Sequence, residues 1–345
     1  MATPSSLIQE YLTECRALVS EHLSEYLPRQ SRYRTVLYDR MLEYPLRHAK
    51  ALRPSLCIAT CRAFGGSLSQ VIPSAVAVEL LHNGFLVHDD VEDGSLLRRG
   101  APTLHTAYGV PIAINIGDGL LALALRPLLA NTQYVGLGKS LRILELVANA
   151  VQESVEGQAI ELDWVRCGTL ALRDSDYWHM AYKKTCFYTF VLPMQIGGII
   201  AETSQALLRR IRKFAIYLGI AFQIHDDILN LCAEQKNYGK EIGGDLWEGK
   251  RTLILLHALR VASDSERQLA CRKLSMSREE KREDDVAVLD NLVRKYDSIA
   301  YAQRFAAQCA HKAAHLLTGE VVQLIPSIHL DFLRHLVDYV IQRDR

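Results

Sequence analysis

His88-Asp89-Asp90-Val91-Glu92-Asp93 and Phe222-Gln223-Ile224-His225-Asp226-Asp227-Ile228-Leu229-Asn230 decide the reading of this chain. Both follow apolar, helix-like runs, Ala75 to Val87 and Phe214 to Ile224. On a helix Asp89 and Asp93 are i and i+4, so their carboxylates share one face, roughly 5–6 Å apart. Two such faces looking at each other would form an oxygen-only cage, which suits Mg²⁺ rather than zinc or copper. Basic residues follow each motif: Arg98-Arg99-Gly100 after the first, and Lys240 and Asp245-Leu246-Trp247-Glu248-Gly249-Lys250-Arg251-Thr252 after the second. A phosphate-bearing ligand requires such cations. A lone acidic pair is usually solvated helix surface, but that reading must here explain two motifs, two apolar runs and two basic clusters.

The rest of the chain reads as helix nearly throughout. Apolar residues recur at i, i+3 and i+4, strand-like alternation is scarce, and prolines are ten in 345 residues. Asn83-Gly84 has the form of a hairpin signal, but it sits inside the run leading to Asp89, where helix wins. Pro102, Gly109 and Pro111 mark a loop. Thr185 to Ala201 is uncharged yet too short and interrupted for a membrane span, so a buried helix is expected. Ser263 to Asp285 is charge-rich and reads as solvated. No repeat or linker divides the chain, so one all-α domain over residues 1–345 is expected. With 49% hydrophobic residues the chain can bury a large core. A formal net charge of +1 points to neither nucleic acid nor an anionic membrane. The N-terminus lacks a basic region followed by an apolar run, so no secretory signal is expected. Eight cysteines without zinc spacing fit a reducing, cytoplasmic setting.

With these residues in order, the chain resembles the trans-isoprenyl diphosphate synthases, or polyprenyl synthetases. The resemblance runs from about Lys50 to Leu259. It rests on Lys50-Ala51-Leu52-Arg53-Pro54, Glu79-Leu80-Leu81-His82, the Asp89 to Asp93 motif with Arg98-Arg99-Gly100, Gly157-Gln158, Lys184-Thr185, Phe222-Gln223 with Asp226-Asp227, Lys240, and Asp245 to Thr252. It implies a bundle of long helices around a deep central cavity, the isoprenoid synthase fold. It also implies Mg²⁺-dependent, head-to-tail condensation of isopentenyl diphosphate with an allylic diphosphate (dimethylallyl, geranyl or farnesyl). A homodimer is the family's habit.

The difficult step in that chemistry is charge separation at the leaving diphosphate, which metal ions and cationic side chains stabilise. Asp89, Asp93 and Asp226 are the expected metal ligands, with Asp90 and Asp227 supporting them. By resemblance, Arg98, Lys184, Thr185, Gln223, Lys240 and Lys250 hold the allylic diphosphate. Lys50, Arg53, His82 and Arg99 hold isopentenyl diphosphate, whose site needs no metal. His88 and His225 stay unassigned. The glycine of Gly157-Gln158 costs about 1 kcal/mol in a helix interior, which points to a packing or substrate reason.

Three departures stand out. Asn230 replaces the usual third aspartate of the second motif, as in some eukaryotic geranylgeranyl diphosphate synthases. His48-Ala49 precedes Lys50 where glycines are usual, and Glu161 stands where aspartate is commoner. Asp226, Asn230 and Glu234 also have the i, i+4, i+8 spacing of the second metal motif of class I terpene cyclases, so a cyclase is one rival reading. A non-catalytic modulating subunit is another, although such subunits commonly lose aspartates of the first motif. Lys50, Arg53, His82 and Arg99 favour the condensing enzyme. Phe85, at i−4 from Asp89, lies about 6 Å deeper and is the expected cavity floor, with Gly84 opening space beside it. A short-chain product is expected, C20 first, with C15 or a longer chain as alternatives.

Overall fold

The computed structural model describes residues 4–28, 30–47, 49–233, 241–318 and 326–342. Twelve named helices carry the architecture: α1 (Pro4–Tyr26), α2 (Leu52–Ala63), α3 (Leu68–Glu92), α4 (Val110–Arg166), α5 (Asp174–Ala181), α6 (Leu192–Ile200), α7 (Gln205–Cys232), α8 (Leu253–Val261), α9 (Asp264–Leu274), α10 (Glu283–Lys295), α11 (Ser298–Thr318) and α12 (Ile328–Gln342). Among the described residues the sheet is one antiparallel pair, β1 (Leu97–Arg98) with β2 (Ala101–Pro102), in the loop between α3 and α4. The all-α expectation therefore holds, and Asn83-Gly84 lies within α3 as helix.

Helix α3 starts at a capping box, in which the Ser67 hydroxyl accepts from Gln70 N–H and the Gln70 side chain accepts from Ser67 N–H. It is buried around most of its circumference and packs chiefly along α4. Its apolar length would suffice to cross a membrane, but 83% of that stretch is buried inside the protein, as expected of a core helix. Helix α4 passes the same length test with 44% buried, and it breaks at Gly136, whose φ is +77°. The first and last of these helices meet: Tyr11 of α1 stacks on Phe332 of α12 at 4.2 Å.

The uncharged stretch from Thr185 is buried, as expected, but its first half is not α-helix. Residues Tyr182–Val191 form a π-helix that runs into α6. Two glycines admit it. A Cβ on Gly157 of α4 would lie 2.2 Å from the Lys184 backbone nitrogen, and one on Gly219 of α7 would lie 2.4 Å from Cys186 Sγ. Gly157 thus has a packing reason, and it fixes where Lys184 stands. π-Helical turns of this kind recur at functional sites.

The charge-rich run from Ser263 to Asp285 corrects the sequence reading. It holds helix α9, and its later part is not merely solvated: Lys281 is buried and donates to the Trp247 carbonyl at 2.7 Å. Arg278 pairs with Glu241 and, at 3.4 Å, with Glu248. The partners that bury this run lie some 30 residues upstream.

Candidate active site

Helices α3, α4 and α7 and the π-helix enclose a cavity of about 1120 Å³. Asp89, Asp226 and Asp227 line it, together with Lys50, Arg53, His82, Phe85, Arg98, Arg99, Lys184, Thr185, Gln223 and Lys250. Asp90, Asp93 and Gly84 do not line it. Lys240 and Glu234 lie outside the described residues.

In the first motif, Asp93 N–H bonds to Asp89 O at 2.9 Å, so the two residues keep helical i, i+4 spacing up to the end of α3. Their carboxylates meet cations from elsewhere. Lys184 Nζ sits 3.1 Å from Asp89 and also bonds Glu161. Lys250 Nζ sits 2.6 Å from Asp93 and 2.7 Å from Glu248. Burial disfavours both ammonium charges, yet the carboxylates outweigh it and hold both pKa values above the usual lysine range. Lysine at such a site supplies a mobile point charge.

The second aspartate of each pair turns inward. Asp90, 1% exposed, accepts from Arg98 Nε at 2.9 Å and from the Tyr44 hydroxyl at 2.5 Å. Asp227, 5% exposed, accepts from the Tyr177 hydroxyl at 2.7 Å and from Gln223 Nε2 at 2.8 Å. Burial, and then the nearby Asp245, push the Asp227 carboxyl well above the usual carboxylate range.

The oxygen cage expected from the two motifs is not preassembled. Among the described residues no three His, Cys, Asp or Glu side chains come together as a metal site. Facing carboxylates repel without a cation between them, and at Asp89 and Asp93 lysines occupy that place. The donor chemistry still fits Mg²⁺, which commonly binds one or two carboxylates and takes its other ligands from water and substrate phosphate.

At the other group of cations, Arg53 donates to the Tyr188 hydroxyl at 2.9 Å and to Thr189 Oγ1 at 2.8 Å, and its guanidinium lies 4.6 Å over the Tyr188 ring. Arg99 bonds the Tyr44 carbonyl and, at 3.3 Å, Asn83 Oδ1. Burial lowers its pKa to about 10, which leaves it charged at neutral pH. Ala51 and Arg99, beside Lys50 and Arg98, both take positive φ, +50° and +54°. For non-glycine residues that conformation stores strain of about 1–3 kcal/mol. Thus the segment that lacks the usual glycines adopts a glycine-like bend through Ala51.

Comparison with known proteins gives the family. The polyprenyl synthetase family model matches residues 35–292. This chain is a polyprenyl synthetase. It is 31% identical to the geranylgeranyl diphosphate synthase of Saccharolobus solfataricus over 301 residues, 85% of this chain and 86% of that one. The crystal structure of geranylgeranyl pyrophosphate synthetase from Pyrococcus horikoshii superposes with a TM-score of 0.83 at 32% identity, covering 97% of this chain and 98% of the other. Polyprenyl synthase from Caulobacter crescentus, solved with calcium and isoprenyl diphosphate, gives 0.86 at 27% identity, covering 98% of each chain. The fold is that of the polyprenyl synthases, and the enzyme is a prenyltransferase.

Sequence reasoning missed several residues that hold the charged groups in and beside this prenyltransferase's cavity. Tyr44 and Tyr177 hold the inner aspartates, and Glu161 and Glu248 hold the lysines. Glu161 carried a signal, being a departure from the family pattern, and Glu248 lay within a quoted motif. The tyrosines are 46 and 50 residues from their aspartates and carried none. His88, unassigned from sequence, packs over Gly117 of α4, where a Cβ would come 2.3 Å from its Nε2. Phe85 lines the cavity and meets Tyr188 edge-on at 5.3 Å. Gly84 corrects the expectation of open space: a Cβ there would lie 2.8 Å from Leu121 Cδ2 and 3.3 Å from the Gly117 carbonyl. Its lost side chain serves the approach of α3 to α4.

Proposed function

We propose that this prenyltransferase condenses isopentenyl diphosphate with allylic diphosphates (dimethylallyl, geranyl, farnesyl) to give an all-trans C20 diphosphate, with Mg²⁺ as cofactor. The observation that carries this reading is that one cavity holds Asp89, Asp226, Lys184 and Lys250 together with Lys50, Arg53 and Arg99. A condensing enzyme needs such provision for two diphosphates. When bound, Mg²⁺ would neutralise charge developing on the leaving diphosphate, held by Asp89, Asp93 and Asp226.

The chain's own residues do the rest. Lys184 and Lys250, now on Asp89 and Asp93, are placed to turn to the allylic diphosphate, with Arg98, Thr185, Gln223 and Lys240 completing that site. Asp90 and Asp227 orient Arg98 and Gln223. Lys50, Arg53, His82 and Arg99 supply the positive charge of the metal-free isopentenyl diphosphate site. Phe85 bounds the chain-binding depth, which favours C20 over longer products.

The cyclase reading loses support at Asn230. It is 5% exposed, and its Oδ1 accepts from Asp245 N–H at 3.1 Å, so it holds a turn rather than facing a metal. A non-catalytic subunit is disfavoured because the aspartates of the first motif, Asp89, Asp90 and Asp93, are all kept. We further read the chain as one all-α domain that pairs as a homodimer through α4, where Leu129 and Leu137 are 63% and 64% exposed. Eight free cysteines suit a reducing, cytoplasmic setting. Chromatography of the dephosphorylated alcohols made with Mg²⁺ and both substrates tests the product. A C20 alcohol is expected, and a C40 or longer alcohol would overturn the length assignment.

A further inference from the structure

We propose that Arg16, on the N-terminal helix, is a further cation of the isopentenyl diphosphate site; this rests on the condensation reading above. Gln9, Leu12, Thr13 and Arg16 of α1 line the same cavity as Lys50 and Arg53. Their spacing is the i, i+3, i+4, i+7 stripe of a single helix face. Helix α1 packs against α2, the helix that carries Arg53.

What singles out Arg16 is that each of the neighbouring guanidinium groups already has a protein partner. Arg53 is held by Tyr188 and Thr189, Arg99 by Tyr44 and Asn83, and Arg98 by Asp90. Arg16 is half-buried and makes no hydrogen bond or ion pair among the described residues. A diphosphate bound without metal needs several protein cations, and a guanidinium can meet two of its oxygens at once. An arginine that merely solvates a helix has no need to face a cavity already lined by Lys50 and Arg53. Neither acidic motif announces it, because it lies 34 residues before Lys50.

The test compares wild type, Arg16→Ala and Arg16→Lys in two measurements: steady-state kinetics with each substrate varied, and calorimetric binding of isopentenyl diphosphate in metal-free buffer. Loss of one charge-assisted contact at a partly exposed site should raise both KM and Kd for isopentenyl diphosphate about five- to twentyfold in Arg16→Ala. KM for the allylic substrate should stay within twofold, and Arg16→Lys should recover part of the loss. Unchanged binding of isopentenyl diphosphate in folded Arg16→Ala would overturn the inference, as would equal rises for both substrates. If wild type itself neither binds nor incorporates isopentenyl diphosphate, the condensation reading fails first, and this inference falls with it.

Discussion

Lys250 Nζ stands 2.6 Å from Asp93 Oδ2, joining the last carboxylate of the first acidic motif to a turn 157 residues later. Glu248 shares the same ammonium at 2.7 Å and reaches Arg278 on its other side. The two halves of the cavity are thereby tied by charge as well as by apolar packing.

Lys250→Met should therefore cost stability as well as activity. It would strand Asp93, whose side chain is only 6% exposed, and leave Glu248, 10% exposed, with Arg278 alone among its cations. Removing one partner of a buried pair typically costs about 3–5 kcal/mol. Denaturant titration should show a loss of that order, and adding Asp93→Asn should restore part of it. Additive losses in the double mutant would mean that the pair is not coupled.

Gly157→Ala should be far worse than its single methyl group suggests. The added Cβ would meet the Lys184 backbone at 2.2 Å, and backbone cannot rotate away. We expect turnover at least tenfold lower together with reduced stability, since overpacking commonly costs about 1–3 kcal/mol. Near-normal values of both would show that the π-helix shifts freely.

Phe85 and Gly84 should behave differently. Phe85→Ala opens a cavity wall and should lengthen products by at least one five-carbon unit. Its stability cost should stay below the roughly 3–5 kcal/mol of a fully packed Phe→Ala. Gly84→Phe should chiefly destabilise, because its side chain would collide with Leu121. An unchanged alcohol distribution from folded Phe85→Ala would make Phe85 an ordinary core residue.

Lys281 gives a pH signature. Burial, aided by Arg251 and Arg278, lowers its pKa from 10.5 to about 8. The folded state thus binds fewer protons than the unfolded state between about pH 8 and 10.5, so this group adds stability as pH rises through that window. The gain is on the order of 1–3 kcal/mol. Lys281→Met should remove this rise relative to wild type in denaturation series at pH 7.5 and 10. Parallel curves would place Lys281 in solvent.

Much of this was legible in the sequence. The apolar runs before Asp89 and Asp226 pointed to α3 and α7, and the family resemblance named cations that, Lys240 aside, line one cavity. What was hidden came from long-range partners. Tyr44 and Tyr177 reach the inner aspartates across about 50 residues, and Lys281 is buried by a carbonyl 34 residues away. The π-helix has no local signature, since it depends on Gly157 and Gly219 in two other helices. The i, i+4 spacing places the Asp89 and Asp93 carboxylates on one face but carries no sign of the lysines that pair with them, Lys184 and Lys250.

The central claim is that one cavity joins two diphosphate substrates. The most direct measurement is simultaneous counting of pyrophosphate released and labelled isopentenyl diphosphate incorporated, with Mg²⁺ and geranyl diphosphate supplied. One pyrophosphate per isopentenyl unit incorporated, with no release when isopentenyl diphosphate is withheld, is the predicted result. Steady pyrophosphate release from the allylic substrate alone, with a hydrocarbon or alcohol product and no incorporation, would contradict it.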